Sequence, residues 1–190
     1  MKIAVLILAA GSASRMGKIK QLLPYKHTFL LGNIIENALE IVPDDVYVVL
    51  GANKNNIQEK LEQYPVTTIV NNNYKLGLSA SIVCGVQELL NYDAILVCLG
   101  DQPKIDTDYL KEMIELFKKN ENGIVASNYG KLNGVPAIFS KSFYSELLNL
   151  KGDKGAKMLL NSKDKPVSVY NATDKLLDID TPEDYKKLIQ

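Results

Sequence analysis

The chain has 190 residues, enough for one domain with a sizeable core. Hydrophobic residues make up 46% and charged residues 23%, the balance of a globular protein in water. Lys plus Arg and Asp plus Glu are equal at 22 each, so no net field draws the chain to nucleic acid or to an anionic membrane.

The chain opens with the apolar run "KIAVLILA" (2–9). A lysine, an apolar stretch and small residues are also the layout of a short signal peptide. Nothing downstream looks secretory, and a buried first strand of a parallel sheet has the same composition. The loop that follows, "LAAGSASRMGKIKQLL", carries small residues, Arg15, Lys18 and Lys20. Its only glycines are Gly11 and Gly17, so it is neither a G-x-G-x-x-G fingerprint nor a P-loop. Small residues beside positive charge still suit a backbone that approaches an anion closely.

Periodicity then predicts a helix at 29–42, a strand at 45–51, a helix at 55–64 and a strand at 66–71. After the loop "NNYKLGLSA" come a helix (80–90), a continuous apolar strand (93–100), a helix (107–120) and a strand (123–128). Beyond 128 the rhythm changes. A turn leads into a strand (129–140), followed by helical segments at 141–150 and 155–162. Short strands are expected at 167–171 and 176–180, then a last helix in "PEDYKKLIQ". Cys84 and Cys98 lie in apolar segments and read as free thiols of a cytoplasmic protein. No apolar run reaches the roughly 18 residues of a membrane span. The alternation predicts an α/β fold: a single-domain, Rossmann-like, three-layer architecture with a mostly parallel central sheet.

Ligands of such sheets bind beyond the carboxyl ends of the strands. There the sequence places Arg15, Lys18 and Lys20 after the first strand and Asp101 after the fourth. Asp178 and Asp180 would share one face of the last strand. Cations facing carboxylates suit phosphoryl or nucleotidyl transfer, in which one or two carboxylates and substrate phosphates hold Mg²⁺. Each group also has a structural role open to it. The charged loop could be solvated surface, and Asp101 could be a turn residue before Pro103. Thr181, Pro182 and Asp184 read as a variant capping box, with Asp180 beside the helix N-terminus. His27, the single histidine, reads as surface, which leaves no His-based triad or zinc site.

The first loop resembles the L-A-[AG]-G-x-S-x-R-M-G-x-x-K signature of the MobA-like nucleotidyltransferase family, in its molybdenum cofactor cytidylyltransferase branch. Further matches follow in order: Asn72, Gly77, Ser81 and Gly85, then "GDQP" (100–103), "GVPAIF" (134–139), "GDKGAK" (152–157) and "DIDTPEDY" (178–185). The resemblance implies the nucleotide-diphospho-sugar transferase type of fold. It implies that Leu8, Ala9, Ala10, Gly11 and Ser12, with Asn72, Gly77 and Ser81, contact the nucleotide. Arg15 and Lys20 would bind its phosphates, and Arg15, Lys20 and Asp101 would be catalytic. Asp101 and Asp180, supported by Asp178, would hold Mg²⁺. Gly134, Pro136, Gly152, Asp153 and Lys157 would face the acceptor. Residues 1–103 would form mainly the nucleotide half of one domain and 104–190 mainly the acceptor half.

The implied reaction joins CTP to a phosphorylated pterin, molybdopterin, and releases pyrophosphate, with a molybdenum hydroxylase as possible client. Neither nucleic acid nor membrane is an expected partner. Two positions depart from the family pattern: Lys157 replaces an arginine, and Val135 stands where many relatives are polar. Lysine lacks the bidentate fork of guanidinium. Other readings are guanylyl transfer to the same pterin, whose branch usually reads LAGG rather than LAAG, and nucleotidyl transfer to a sugar 1-phosphate or another phosphorylated metabolite. A non-catalytic module that binds nucleotide and delivers cofactor is a further reading.

Overall fold

The computed structural model describes residues 1–13, 15–121, 123–171 and 173–190. In chain order, β1 is Ile3–Ala9, β2 Pro24–Tyr25, β3 Thr28–Phe29, α1 Leu30–Ile41, β4 Val46–Leu50 and α2 Lys54–Leu61. Then come β5 Thr67–Val70, α3 Leu78–Glu88, β6 Ala94–Leu99, α4 Thr107–Lys118, β7 Ile124–Asn128 and β8 Asn133–Ser140. The chain ends with α5 Tyr144–Leu148, α6 Lys157–Leu160, β9 Val167–Tyr170 and α7 Pro182–Ile189.

All seven residues of β1 are buried because both faces of the strand are covered. Val5, Ile7 and Ala9 pack with Leu31, Ile34 and Ile35 of α1, Ile57 of α2, and Leu110 and Met113 of α4. Ala4, Leu6 and Leu8 point the other way, onto Ile82 and Val86 of α3 and Leu147 of α5. Gly85 lets α3 lie close to the sheet, since a Cβ there would come within 2.5 Å of the Leu6 side chain.

The sheet has seven strands in the order β5-β4-β1-β6-β8-β7-β9. β5, β4, β1 and β6 are mutually parallel, β8 runs antiparallel to β6 and β7, and β9 is parallel to β7. From β1 the chain steps outward through β4 to β5, then returns through α3 to β6 on the other side of β1. A right-handed crossover that reverses direction must change face, which is why α1 and α2 share one layer and α3 lies in the other. The reversal puts the crevice of the fold between the carboxyl ends of β1 and β6.

The expected strand at 176–180 is absent: these residues form no ladder. One backbone bond, from Ile179 N–H to the Asp101 carbonyl at 3.0 Å, moors the segment beside the end of β6. Ile179 is fully buried against Met16, Leu23 and Leu30, so packing rather than sheet pairing holds the segment in place. The helices at 141–150 and 155–162 shrink to α5, preceded by a short 3-10 turn, and α6. The small β2–β3 hairpin had no clear sequence signal. The capping box forms as expected: Thr181 and Asp184 bond reciprocally and Pro182 opens α7. His27 is a surface residue paired with Glu36 at 2.7 Å. Cys84 and Cys98 are free thiols; burial raises both, and the fully buried Cys98 lies well above the usual range. Among the described residues no helix is long and apolar enough to cross a membrane.

Candidate active site

A cleft of about 990 Å³ opens at the crevice between β1 and β6. Leu8, Ala9, Ala10, Gly11, Ser12, Arg15, Lys20 and Gln21 form one wall. Tyr74 through Leu78, with Ser81, form a second, and Leu99, Gly100 and Asp101 lie at the end of β6. Gly152, Asp153, Asp178 and Asp180 come from the last third of the chain.

The charged groups interlock. Lys20, on a 3-10 turn at Lys20–Leu22, donates from Nζ to Asp101 Oδ2 and, at 3.0 Å, to Asp180 Oδ1. Arg15 Nη2 donates to the other oxygen of Asp180 at 2.9 Å. The Lys20 and Asp101 side chains are only 12% and 18% exposed, whereas that of Arg15 is 69% exposed. Burial alone would lower the Lys20 ammonium, but the two carboxylates outweigh it and hold the group above the ordinary lysine value. Burial likewise works to raise Asp180, and its bonds to Lys20 and Arg15 reverse that and hold the carboxyl below the usual range.

Asp178 behaves oppositely. Part of it faces the open cleft, yet surrounding protein desolvates the carboxyl and raises it. A bond from Gln102 Nε2 at 2.8 Å partly offsets this, while the charges of Asp101 and Asp180 add to it.

The donor set suits a hard divalent cation. Four carboxylates, of Asp101, Asp153, Asp178 and Asp180, line the cleft, and Asp101 Oδ1 is buried with no hydrogen-bond partner. Among the described residues no group of three or more His, Cys, Asp and Glu side chains converges into a cage. Mg²⁺ is commonly bound by one or two carboxylates plus substrate phosphates, an arrangement that needs no such cage.

The second wall is fixed by backbone geometry. Gly77 has φ +98°, and a Cβ there would lie 2.8 Å from Asp153 Cα, so both conformation and space call for glycine. Asp153 Oδ1 accepts from Leu78 N–H, and the Gly152 carbonyl accepts from Ser79 N–H, each at 3.2 Å. The start of α3 is thereby satisfied by the chain itself.

Residues 5–167, which carry β1, the charged loop and Asp101, match the MobA-like NTP transferase domain. The chain belongs to the MobA-like NTP transferase family. It is 30% identical to the molybdenum cofactor cytidylyltransferase of Escherichia coli (strain K12), over 95% of this chain and 92% of that protein. It is 32% identical to the purine catabolism protein PucB of Bacillus subtilis (strain 168), over 94% and 91%. Among solved structures, Rv0371c of Mycobacterium tuberculosis H37Rv superposes with a TM-score of 0.86 at 28% identity, covering 100% of this chain and 99% of that one. A manganese complex of the same mycobacterial protein superposes with a TM-score of 0.79, covering 99% and 98% at the same identity.

This MobA-like transferase brings together most of the residues singled out in its sequence, and leaves some apart. Leu8 through Ser12, Arg15, Lys20, Gly77, Ser81, Asp101, Gly152, Asp153, Asp178 and Asp180 all line the cleft. Asn72 does not. Its neighbour Asn71 is buried and donates to Ser81 Oγ at 3.1 Å, which fixes the wall from behind. Gly134, Pro136 and Lys157 also lie outside the lining. The Pro136 carbonyl accepts from Ser127 Oγ, Gly134 sits under the Tyr129 ring, and Lys157 opens α6. Sequence reading missed Gln21, Tyr74, Lys75, Leu76, Leu78 and Leu99 in the lining. Gln21 directly follows Lys20 in "KIKQLL", but a lone glutamine beside a lysine gives no periodic or charge signal.

Proposed function

We propose that this MobA-like transferase is a Mg²⁺-dependent CTP:molybdopterin cytidylyltransferase of the cytoplasm that passes its product to a molybdenum hydroxylase. The observation that carries this reading is the Lys20 ammonium bridged between Asp101 at the end of β6 and Asp180 from the C-terminal segment, with Arg15 on the same Asp180. It gathers cations and carboxylates at the one place where the sheet topology forms a crevice. The 30% identity to a molybdenum cofactor cytidylyltransferase over nearly the whole chain supports the cytidylyl choice, as does Ala10 in the first loop. The manganese complex of the mycobacterial relative supports a divalent cation.

In this reading a phosphate oxygen of the pterin attacks the α-phosphorus of CTP. The bond from that phosphorus to the β-phosphate oxygen breaks, and pyrophosphate leaves. The first loop and the second wall orient the nucleotide. Lys20, held in place by its two carboxylates, and Arg15 meet negative charge that grows on the departing pyrophosphate. Asp101 and Asp180, with Asp178 in support, would hold Mg²⁺, which neutralises phosphate charge and makes the α-phosphorus more electrophilic. Residues 1–103 serve mainly the nucleotide and 104–190 mainly the acceptor, which the Gly152–Asp153 corner of the cleft would approach first.

The test is pyrophosphate release from CTP and from GTP with molybdopterin as acceptor, with and without Mg²⁺. A higher kcat/KM for CTP and loss of turnover on chelation are expected. Equal values for the two nucleotides would defeat the cytidylyl choice, and metal-independent turnover would defeat the carboxylate assignment.

A further inference from the structure

The carbonyls of Leu8 to Gly11, where the first loop begins, are each taken up by the protein. Leu8 C=O accepts from Gly100 N–H and Ala10 C=O from Ala52 N–H, each at 3.0 Å. The two alternate carbonyls, of Ala9 and Gly11, both accept from Nε2 of Gln21 at 3.1 Å. Four successive carbonyls therefore point their negative ends into the chain. The Ala9 carbonyl also stands in the β1–β4 ladder opposite Leu50, so among the described residues it is the Gly11 carbonyl that depends on this side chain.

The orientation of that side chain is fixed by chemistry. A carbonyl oxygen only accepts, so the amide nitrogen of Gln21 must face both of them. The consequence is that Gln21 Oε1, in a residue only 2% exposed, is buried without a donor. A buried unpaired acceptor destabilises the fold. An apolar residue of similar size would remove that unpaired oxygen but would also strip the Gly11 carbonyl of its donor, so Gln21 accepts one unpaired oxygen in exchange for a fixed loop backbone.

The opposite edge of the loop has the complementary property. Among the described residues, no acceptor takes the N–H of Gly11 or of Ser12. The start of α3, by contrast, already donates to Asp153 and Gly152. The first loop thus offers backbone N–H groups able to meet an anion, whereas the start of α3 does not.

We propose that Gln21 is a positioning residue that sets the polarity of the nucleotide loop. By holding the Ala9 and Gly11 carbonyls inward, it leaves the N–H groups of Gly11 and Ser12 for the triphosphate of the substrate. Lys20 and Gln21, adjacent on one 3-10 turn, then divide the work: one supplies charge to the cleft and the other orients the backbone dipoles beside it. The inference rests on the nucleotidyl-transfer reading of the cleft and adds a residue to it.

The test uses the full chain and three probes: inorganic tripolyphosphate, CTP and CMP. In the unmodified protein, tripolyphosphate should bind and move the amide resonances of Gly11 and Ser12, while the Gln21 carboxamide protons exchange slowly. Gln21→Met keeps the length and removes both donors. It should weaken tripolyphosphate and CTP about tenfold or more and lower kcat, with CMP affinity changed less than threefold. Gln21→Glu, whose carboxylate repels both carbonyls, should lose at least as much. If folded Gln21→Met binds all three probes as the unmodified protein does, or weakens all three equally, Gln21 is only structural and the proposal falls. Should neither variant fold, the amide titration decides: Gly11 and Ser12 resonances unmoved by bound tripolyphosphate overturn it. If the unmodified protein binds no tripolyphosphate at all, the nucleotide reading falls first and this inference with it.

Discussion

Residues 1–103 and 104–190 contribute to the cleft in different ways. In the first half, one continuous loop supplies backbone, Arg15, Lys20 and Gln21, and its carbonyls from Leu8 to Gly11 are each held by a named donor. Among the described residues of the second half, two short corners arrive, Gly152–Asp153 and Asp178–Asp180, while Gly134, Pro136 and Lys157 stay away. A loop that wraps a ligand must carry its contacts at close spacing, so they show as a dense motif. A half that contributes corners from separate turns shows scattered motifs, many of whose members shape the scaffold.

The largest effect that could break this comparison lies in the first half. Lys20→Ala removes the ammonium between two carboxylates and should lower kcat about a hundred- to a thousandfold. Asp101→Asn should do the same while the fold persists by circular dichroism. Turnover within threefold of the unmodified protein in either variant would detach the interlocked cluster from the chemistry. Arg15 lies further out, 69% exposed. Solvent screens its charge, so Arg15→Ala should cost less, about tenfold to a hundredfold, read as kcat/KM for CTP.

Ala10 sharpens the comparison at the level of base choice. Removing its methyl group in Ala10→Gly should relax the preference for CTP over GTP by about 1–2 kcal/mol, or roughly five- to thirtyfold in the ratio of kcat/KM values. An unchanged ratio would move base selection elsewhere in the cleft.

In the second half the expected effects are on stability or on the acceptor. A Cβ at Gly134 would come within 2.7 Å of the Tyr129 ring. Gly134→Ala should therefore destabilise the fold by about 1–2 kcal/mol, with KM for CTP unchanged. Lys157→Ala should leave KM for CTP within twofold, and a rise confined to the acceptor's KM would show that the second substrate extends over α6.

The smallest effect concerns acid stability. Asp106 caps α4 by accepting from Tyr109 N–H at 2.9 Å and pairs with Lys175. Burial acts to raise its carboxyl, but the bonds from Lys175 and Tyr109 N–H prevail and hold it below the usual value. A depressed carboxyl stabilises the fold above its unfolded value and loses that contribution as pH falls through the folded one. Lys175 is raised, chiefly by its bond to Asp106, so its share persists up to the alkaline range. With Asp106 45% exposed, Asp106→Asn should cost no more than about 1 kcal/mol near neutrality. The cost should shrink as pH falls below the unfolded carboxyl's ordinary value and disappear only below the lowered folded one, as thermal melts across pH would record.

Local chemistry was legible where neighbours in sequence decide it. The apolar run of β1, the alternation that makes a parallel sheet, and the Thr181–Asp184 capping box depend on residues within a few positions of one another. The resemblance to MobA-like transferases carried the first loop, Asp101 and Asp180 to the cleft in the same way. What misled was the alternating pattern of "LLDID", which looks like a strand until the sheet is built and no ladder position accepts it. Asp178 and Asp180 reach the cleft because Ile179 is buried between them and bonds to Asp101, a contact 78 positions away.

Sequence alone thus determined the fold class, the crevice at the end of the first strand and the charges that meet there, because hydrophobic period and ordered motifs are properties of short windows. Only the tertiary structure decided which carboxylate holds Lys20, that Asn71 rather than Asn72 backs the wall, and that Gln21 fixes the loop. Those pairings join residues from different strand ends, and hydrogen-bond direction has no signature until both partners stand within reach.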